Sequence, residues 1–286
     1  MTLFPIEAGN FKLDGGAMFG VVPKSIWQKT NPSDSNNMIE MASRCLLIES
    51  GNRLMLVDTG MGTKQSEKFF GYYYRWGDFN LVSSIKKAGF SCDEVTDVIF
   101  THLHFDHCGG GSFTKKGDAF SSPLFKNAKY WSNKNHWAWA TKPNAREKAS
   151  FLIENLKPIK SSGALHYVPE HDKGFAYKKD LDLDVLFVNG HTEKQMIPKI
   201  VYKGKTLVFT ADLIPTSSHI PIPYVMGYDI RPLDSMKEKE LFLKEAVENN
   251  YFLFLEHDAH NEIISLKNTD KGIRIDQSYS FNELFN

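Results

Sequence analysis

Between His102 and His107 the chain reads His-Leu-His-Phe-Asp-His, four metal-ligating side chains in six residues, just after Val95 to Phe100 (VTDVIF), which reads as a strand. Imidazole and carboxylate together suit zinc and other borderline divalent ions. In an extended segment, side chains two residues apart project to the same side, so His102 and His104 can share one ion. The chain then turns, and Asp106 and His107 can face a second ion. Gly109, Gly110 and Gly111 follow and allow close backbone approach around a crowded site. Chance clustering, or histidines that cap a helix, does not account for four ligands at this density after a strand.

The segments around the cluster alternate strands and helices. Cys45 to Glu49 and Arg53 to Val57 are short apolar runs separated by Ser50-Gly51-Asn52, a hairpin signal. Asn80 to Ala88 places Leu81, Val82 and Ile85 on one helical face, and Gly89 follows as a stop. The second half repeats the pattern. Val185–Val188, Lys199–Tyr202 and Thr206–Phe209 read as strands, the last two joined by Lys203-Gly204-Lys205. Ser235 and Glu238 have capping-box spacing at the start of a helix, and Tyr251–Leu255 reads as a strand covered on both faces. Two rounds of strands then helix, without a linker, imply an α/β protein of two packed sheets with helices outside, as one domain over residues 1–286. The stretch 129–171 stands apart as a helical insertion and candidate lid, with Trp131, Trp137 and Trp139 and an expected helix from Ala145 that closes at Pro158.

A site for two ions needs further ligands from the carboxyl ends of other strands. His191 follows VLFVNG, Asp212 follows LVFTA and His257 follows YFLFLE. A carboxylate between two cations can bridge them, which is the natural role for Asp212. His260 competes with His257, and His219 lies in a Pro-rich loop that can border a substrate. His136, His166 and His171 read as packing or surface residues.

Composition narrows the classes of function. Lys+Arg and Asp+Glu are 34 each, so the basic surplus that phosphate recognition normally needs is missing and a nucleic-acid partner is not expected. The three cysteines, Cys45, Cys92 and Cys108, are few, odd in number and widely spaced, which fits a reducing compartment. The start of the chain lacks a signal-peptide pattern, and no window approaches the roughly 18 to 20 apolar residues of a membrane span. A cytoplasmic protein without a membrane partner is expected, and 42% hydrophobic content is compatible with a monomer or a homodimer.

THLHFDHCGG, with VDTG upstream and Gly190-His191-Thr192, Ala211-Asp212 and Glu256-His257-Asp258 downstream, resembles the metallo-β-lactamase superfamily of hydrolases. The resemblance covers about Cys45 to Asp258 and implies a four-layer αβ/βα sandwich with the metal site at one edge of the sheets. It implies that His102, His104 and His191 hold one zinc, that Asp106, His107 and His257 hold a second, that Asp212 bridges them, and that Asp58 supports a ligand histidine from behind. True zinc β-lactamases lack the bridging aspartate, and redox-active diiron members carry glutamate where this chain has His104. The branch of N-acyl homoserine lactonases, the quorum-quenching enzymes, is the best match. Some lactonases place a tyrosine shortly after the bridging aspartate; here Tyr224 and Tyr228 are the first available.

The expected chemistry is opening of a small-molecule lactone or ester. Two divalent ions lower the pKa of a shared water from about 15.7 towards about 7 and polarise the carbonyl, and Asp106 passes a proton to the leaving oxygen. Cys108 is expected to pack behind the site. An aromatic run from Phe69 to Trp76, with Trp137 and Trp139, is expected to wall an apolar slot for the acyl part, with His219, Tyr224 and Tyr228 on the substrate side. Phosphotriester, aryl ester or glyoxalase II-like thiolester hydrolysis on the same metals is the alternative, and a metal-binding protein without turnover is the reading from a different class.

Overall fold

Tight turns set the strand registers. A computed structural model describes residues 1–285 other than Phe79, Lys116 and Ala119. β1 (Thr2–Asp14), β2 (Met38–Ser50) and β3 (Arg53–Val57) come first. Gly51-Asn52 joins β2 to β3 with Ser50 opposite Arg53, and Gly51 takes the positive φ of +59° that this turn demands. β4 (Asp97–Ile99), the short pair β5 (Ser112–Phe113) and β6 (Ser122–Pro123), β7 (Lys129–Ser132) and β8 (Leu165–Tyr167) follow. They build a six-stranded sheet in the order β1-β2-β3-β4-β7-β8, in which β3, β4, β7 and β8 run parallel.

Residues Met1–Asn10 and Ser43–Asp172 form one compact unit, and Phe11–Ala42 with Lys173–Asn286 form a second. The first unit's core packs Leu47, Leu56, Val98, Phe100, Tyr130 and Leu156, all fully buried. Asp97 sits inside that sheet and is satisfied by Arg53 at 2.8 Å, Trp131 Nε1 at 2.7 Å and Thr96 Oγ1 at 2.7 Å. These partners hold its carboxyl below the usual range against the opposing effect of burial.

The second unit carries β9 (Ala176–Lys178), β10 (Leu183–Val188), β11 (Gln195–Tyr202), β12 (Lys205–Phe209), β13 (Phe252–Phe254), β14 (Ile263–Thr269) and β15 (Gly272–Tyr279). Their order is β15-β14-β13-β12-β11-β10-β9, antiparallel except for β12 beside β13. Lys203 and Gly204, with φ of 47° and 73°, form the β11–β12 turn. A helix over Pro232–Glu248 buries Phe242, Leu243 and Ala246.

Several expectations change in detail. The stretch 129–171 keeps its helical content, but both of its ends are strands of the first sheet, so the helices Lys134–Thr141 and Ile153–Ser161 form the crossover from β7 to β8. The helix expected from Ala145 starts only at Ile153 and contains Pro158. Before it, Asn144 Oδ1 accepts the N–H groups of Arg146 and Glu147 at 2.9 and 3.1 Å, an Asx turn that competes with helix. Ser235 and Glu238 form no capping box: the helix begins at Pro232, and the Glu238 carboxylate accepts the N–H groups of Asn189 and Gly190 at 2.7 and 2.9 Å. Val82, placed on the buried face of its helix, is 48% exposed, while Leu81 and Ile85 are buried as expected. Among the described residues, no helix is long and apolar enough to cross a membrane.

Candidate metal centre

In the first unit, β4 delivers the chain into Thr101-His102-Leu103, and the one-turn helix Phe105–Cys108 carries Asp106 and His107. His102 Nε2 and His104 Nδ1 lie 3.0 Å apart. His107 Nε2 and Asp106 Oδ2 lie 3.9 Å apart. Two donors on one tetrahedral zinc, with bonds of about 2.0–2.1 Å, stand about 3.3 Å apart, so the 3.0 Å pair has the spacing of shared coordination and the 3.9 Å pair stands wider than it. His102, His104 and His107 are buried, whereas the Asp106 side chain keeps 13% exposure.

The tautomers follow from the surroundings. Asp58 Oδ1 accepts the Thr101 N–H at 2.8 Å, and its Oδ2 accepts the Thr101 hydroxyl at 2.6 Å. With that hydroxyl proton committed, the 3.1 Å contact between Thr101 Oγ1 and His102 Nδ1 must be donated by the ring. Asp58 Oδ2 also takes the His107 Nδ1 proton at 3.0 Å. Both histidines therefore present Nε2 as a lone pair. Asp58 holds φ +57°, a strained conformation for a residue with a side chain, and it places one carboxylate over both partners.

The backbone behind the motif is tightly clamped. Thr59 N–H and Oγ1 both donate to His107 O, at 2.7 and 2.9 Å. A Cβ on Gly110 would stand 2.1 Å from Thr59 O, so only glycine permits this approach. Lys64 Nζ donates to Gly109 O and, at 3.0 Å, to Ser112 O. Burial lowers that lysine to about 8. His136 is fully buried and accepts the Leu103 N–H at 2.8 Å, which fixes the backbone between the two leading histidines. The Cys108 thiol donates to Leu103 O at 3.3 Å, and burial pushes it up to about 12, so it packs behind the motif as an uncharged group.

In the second unit, His191, Asp212 and His257 converge at the ends of β10, β12 and β13. Asp212 Oδ2 lies 3.1 Å from His191 Nε2, and its Oδ1 lies 3.2 Å from His257 Nε2. One carboxylate thus offers a separate oxygen beside each of two imidazoles, the disposition of a bridging ligand. His191 Nδ1 donates to Asp229 Oδ1 at 2.9 Å, and His257 Nδ1 donates to Ala42 O at 2.8 Å, so both rings also present Nε2. Glu238 positions the Asn189-Gly190 backbone just ahead of His191, and burial raises its carboxyl above the usual range.

The expected substrate residues have distinct settings. Trp137 is 4% exposed within the first unit's core, and Trp139 is half-buried with its Nε1 donating to Glu147 at 2.7 Å. His219 stacks on Phe19 at 4.6 Å, accepts the Thr216 hydroxyl at 2.7 Å and donates to Met18 O at 2.9 Å. Tyr224 lines a small cavity with Asp212, His219, Asp229 and Lys239, whereas Tyr228 is 37% exposed. Phe69, Tyr73 and Phe105 pack on one another with centroids 4.9–5.2 Å apart. Burial, and then the Asp106 charge, push the Tyr73 phenol up to about 12, so it keeps its proton as a donor beside the motif.

Sequence reasoning missed the roles of Asp229 and Glu238 and read His136 as a packing or surface residue. The one local signal was the Asp before Ile230-Arg231, and nothing in its spacing points to His191. The sequence profile of the metallo-β-lactamase superfamily matches residues 39–257. An N-acyl homoserine lactonase from Bacillus cereus is 26% identical over 149 residues, which is 48% of this chain and 58% of that protein, so the matched region spans little more than half of the relative's length. A solved structure described as a probable metal-dependent hydrolase from Staphylococcus aureus superposes with a TM-score of 0.84 at 26% identity, covering 97% of this chain and 95% of that one. AidC, a dizinc quorum-quenching lactonase in complex with product, superposes with a TM-score of 0.76 at 20% identity over 98% and 94% of the two chains.

Proposed function

The chain belongs to the metallo-β-lactamase superfamily and has its fold, and on that footing we propose that it is a dizinc hydrolase that opens the ring of N-acyl homoserine lactones. By the family resemblance, His102, His104 and His191 would hold one ion and Asp106, His107 and His257 the other, with the Asp212 carboxylate available to both. The observation that carries this reading is the Asp212 carboxylate, whose two oxygens stand 3.1 and 3.2 Å from two different imidazole nitrogens. A carboxylate that served one ion would not need a histidine at each oxygen. The paired donors His102/His104 and Asp106/His107 match that twofold arrangement.

When bound, the ions supply activated water and a Lewis acid for the carbonyl. The protein's own groups do the rest. Asp58, Asp229 and the Ala42 carbonyl hold four rings in the tautomer that binds through Nε2, directly or through Thr101. Asp106, the partly exposed carboxylate, carries the proton to the leaving alkoxide. The aromatic cluster of Phe69, Tyr73 and Phe105, of which Phe105 directly precedes Asp106, supports an apolar wall for the acyl chain. Relatedness to lactonases supports the substrate class.

The test is a substrate panel on metal-replete protein: hexanoyl to dodecanoyl homoserine lactones, an aryl phosphotriester, an aryl ester and an S-acyl glutathione. The reading expects lactone kcat/KM at least tenfold above the others, lost on chelation and restored by zinc. Preference for the phosphotriester or the thiolester, with the same metal dependence, would keep the centre and replace the substrate.

A further inference from the structure

We propose that Glu147 is a positioning residue for the metal centre, the carboxylate that holds His104 as an Nδ1 ligand; this rests on the dinuclear reading above. Four of the five ligand histidines point Nδ1 at a named acceptor and so present Nε2. His104 is the exception, because its Nδ1 is the atom 3.0 Å from His102 Nε2. It must therefore carry its proton on Nε2, the opposite tautomer. That nitrogen is buried, and Glu147 Oε1 faces it at 3.5 Å.

Glu147 is built into this position. It is 3% exposed. Its other oxygen accepts Trp139 Nε1 at 2.7 Å and Asn144 Nδ2 at 2.5 Å, so two neutral donors fix the carboxylate. Phe151 covers the His104 ring at 4.7 Å between centroids, and Ser150 O accepts the Phe105 N–H at 2.9 Å, which ties the Glu147 segment to the motif it serves. In a site of low dielectric, a carboxylate beside one ring nitrogen keeps the proton there and raises the basicity of the other. The Asx turn that precedes the helix at Ile153 includes the Glu147 N–H, which donates to Asn144 Oδ1 at 3.1 Å.

The experiment is zinc and cobalt binding by chelator competition on metal-free wild type, Glu147→Gln and Glu147→Ala, with cobalt absorption spectra and thermal unfolding of the metal-free proteins. Outer partners of this kind are worth about 10–100-fold in metal affinity. Glu147→Ala is expected to weaken one of two ions by that factor and shift the cobalt spectrum, with Glu147→Gln intermediate because its amide oxygen still accepts a proton. Should Glu147→Ala fail to fold, Glu147→Gln of the same volume carries the test, and a severalfold weakening is the result expected. Wild-type affinity and spectrum in Glu147→Gln, and in Glu147→Ala if it folds, whatever the change in melting temperature, would overturn the proposal and leave Glu147 a loop anchor. Two equivalents of zinc on wild type with no effect of either variant would sink only Glu147; no binding by wild type would sink the dinuclear reading itself.

Discussion

Asp212 carries the proposed bridging role, because each of its oxygens faces a different histidine. Asp212→Ala is expected to reduce bound zinc from two equivalents to one or fewer and to lower kcat by at least about 10²-fold; unchanged stoichiometry by elemental analysis would contradict the bridging role. His219 makes a different prediction. Burial lowers it from 6.5 to about 4, and its bond to Met18 O only partly opposes that. The unfolded chain gains a proton below about 6.5 that the folded chain refuses until about 4, so stability is lost as pH falls through that window, by about 2–3 kcal/mol at pH 4.5. In metal-free protein, the stability difference between wild type and His219→Gln is therefore expected to shrink by that amount between about pH 7.5 and 4.5. A constant difference in denaturant melts would show that His219 titrates normally.

At the scale of elements, the helix Pro232–Glu248 of the second unit holds the backbone just ahead of His191 through Glu238. Gly190 lies so close to this helix that an added Cβ would meet Ser235 atoms at 2.3–2.5 Å. Gly190→Ala is expected to destabilise by about 1–3 kcal/mol and to weaken zinc binding, since the loop that must move carries the proposed ligand His191; denaturant melts and chelator competition on one preparation check both. The same helix shows where sequence is ambiguous. Ser235 and Glu238 have the spacing of a capping box, yet Glu238 serves Asn189 and Gly190 instead, because local spacing does not record which distant N–H groups are unpaired. Likewise, the proposed ligands His102 to His107 were legible because they lie within six consecutive residues. Asp229 and Glu147 were not, because their partners are distant in sequence and no periodicity marks such contacts. The strand ends that place His191, Asp212 and His257 were readable from apolar runs closing on a polar residue, whereas Tyr130 and Trp131 in β7 were hidden by the shortness of that strand.

For the whole molecule, the proposed centre, with its ligands drawn from segments spread over residues 102–257, would link metal binding to folding. At free zinc a hundredfold above Kd, each ion adds about 2.7 kcal/mol to stability, so chelation is expected to lower the melting temperature by several degrees and zinc to restore it. Equal melting temperatures with and without chelator would mean that no such linkage exists. The most direct test is anomalous diffraction at the zinc edge from crystals of the zinc-replete protein. The account predicts two peaks about 3.5–4 Å apart, with Asp212 contacting both, His191 on one and His257 on the other. A single peak, or two peaks with Asp212 bound to neither, would contradict it.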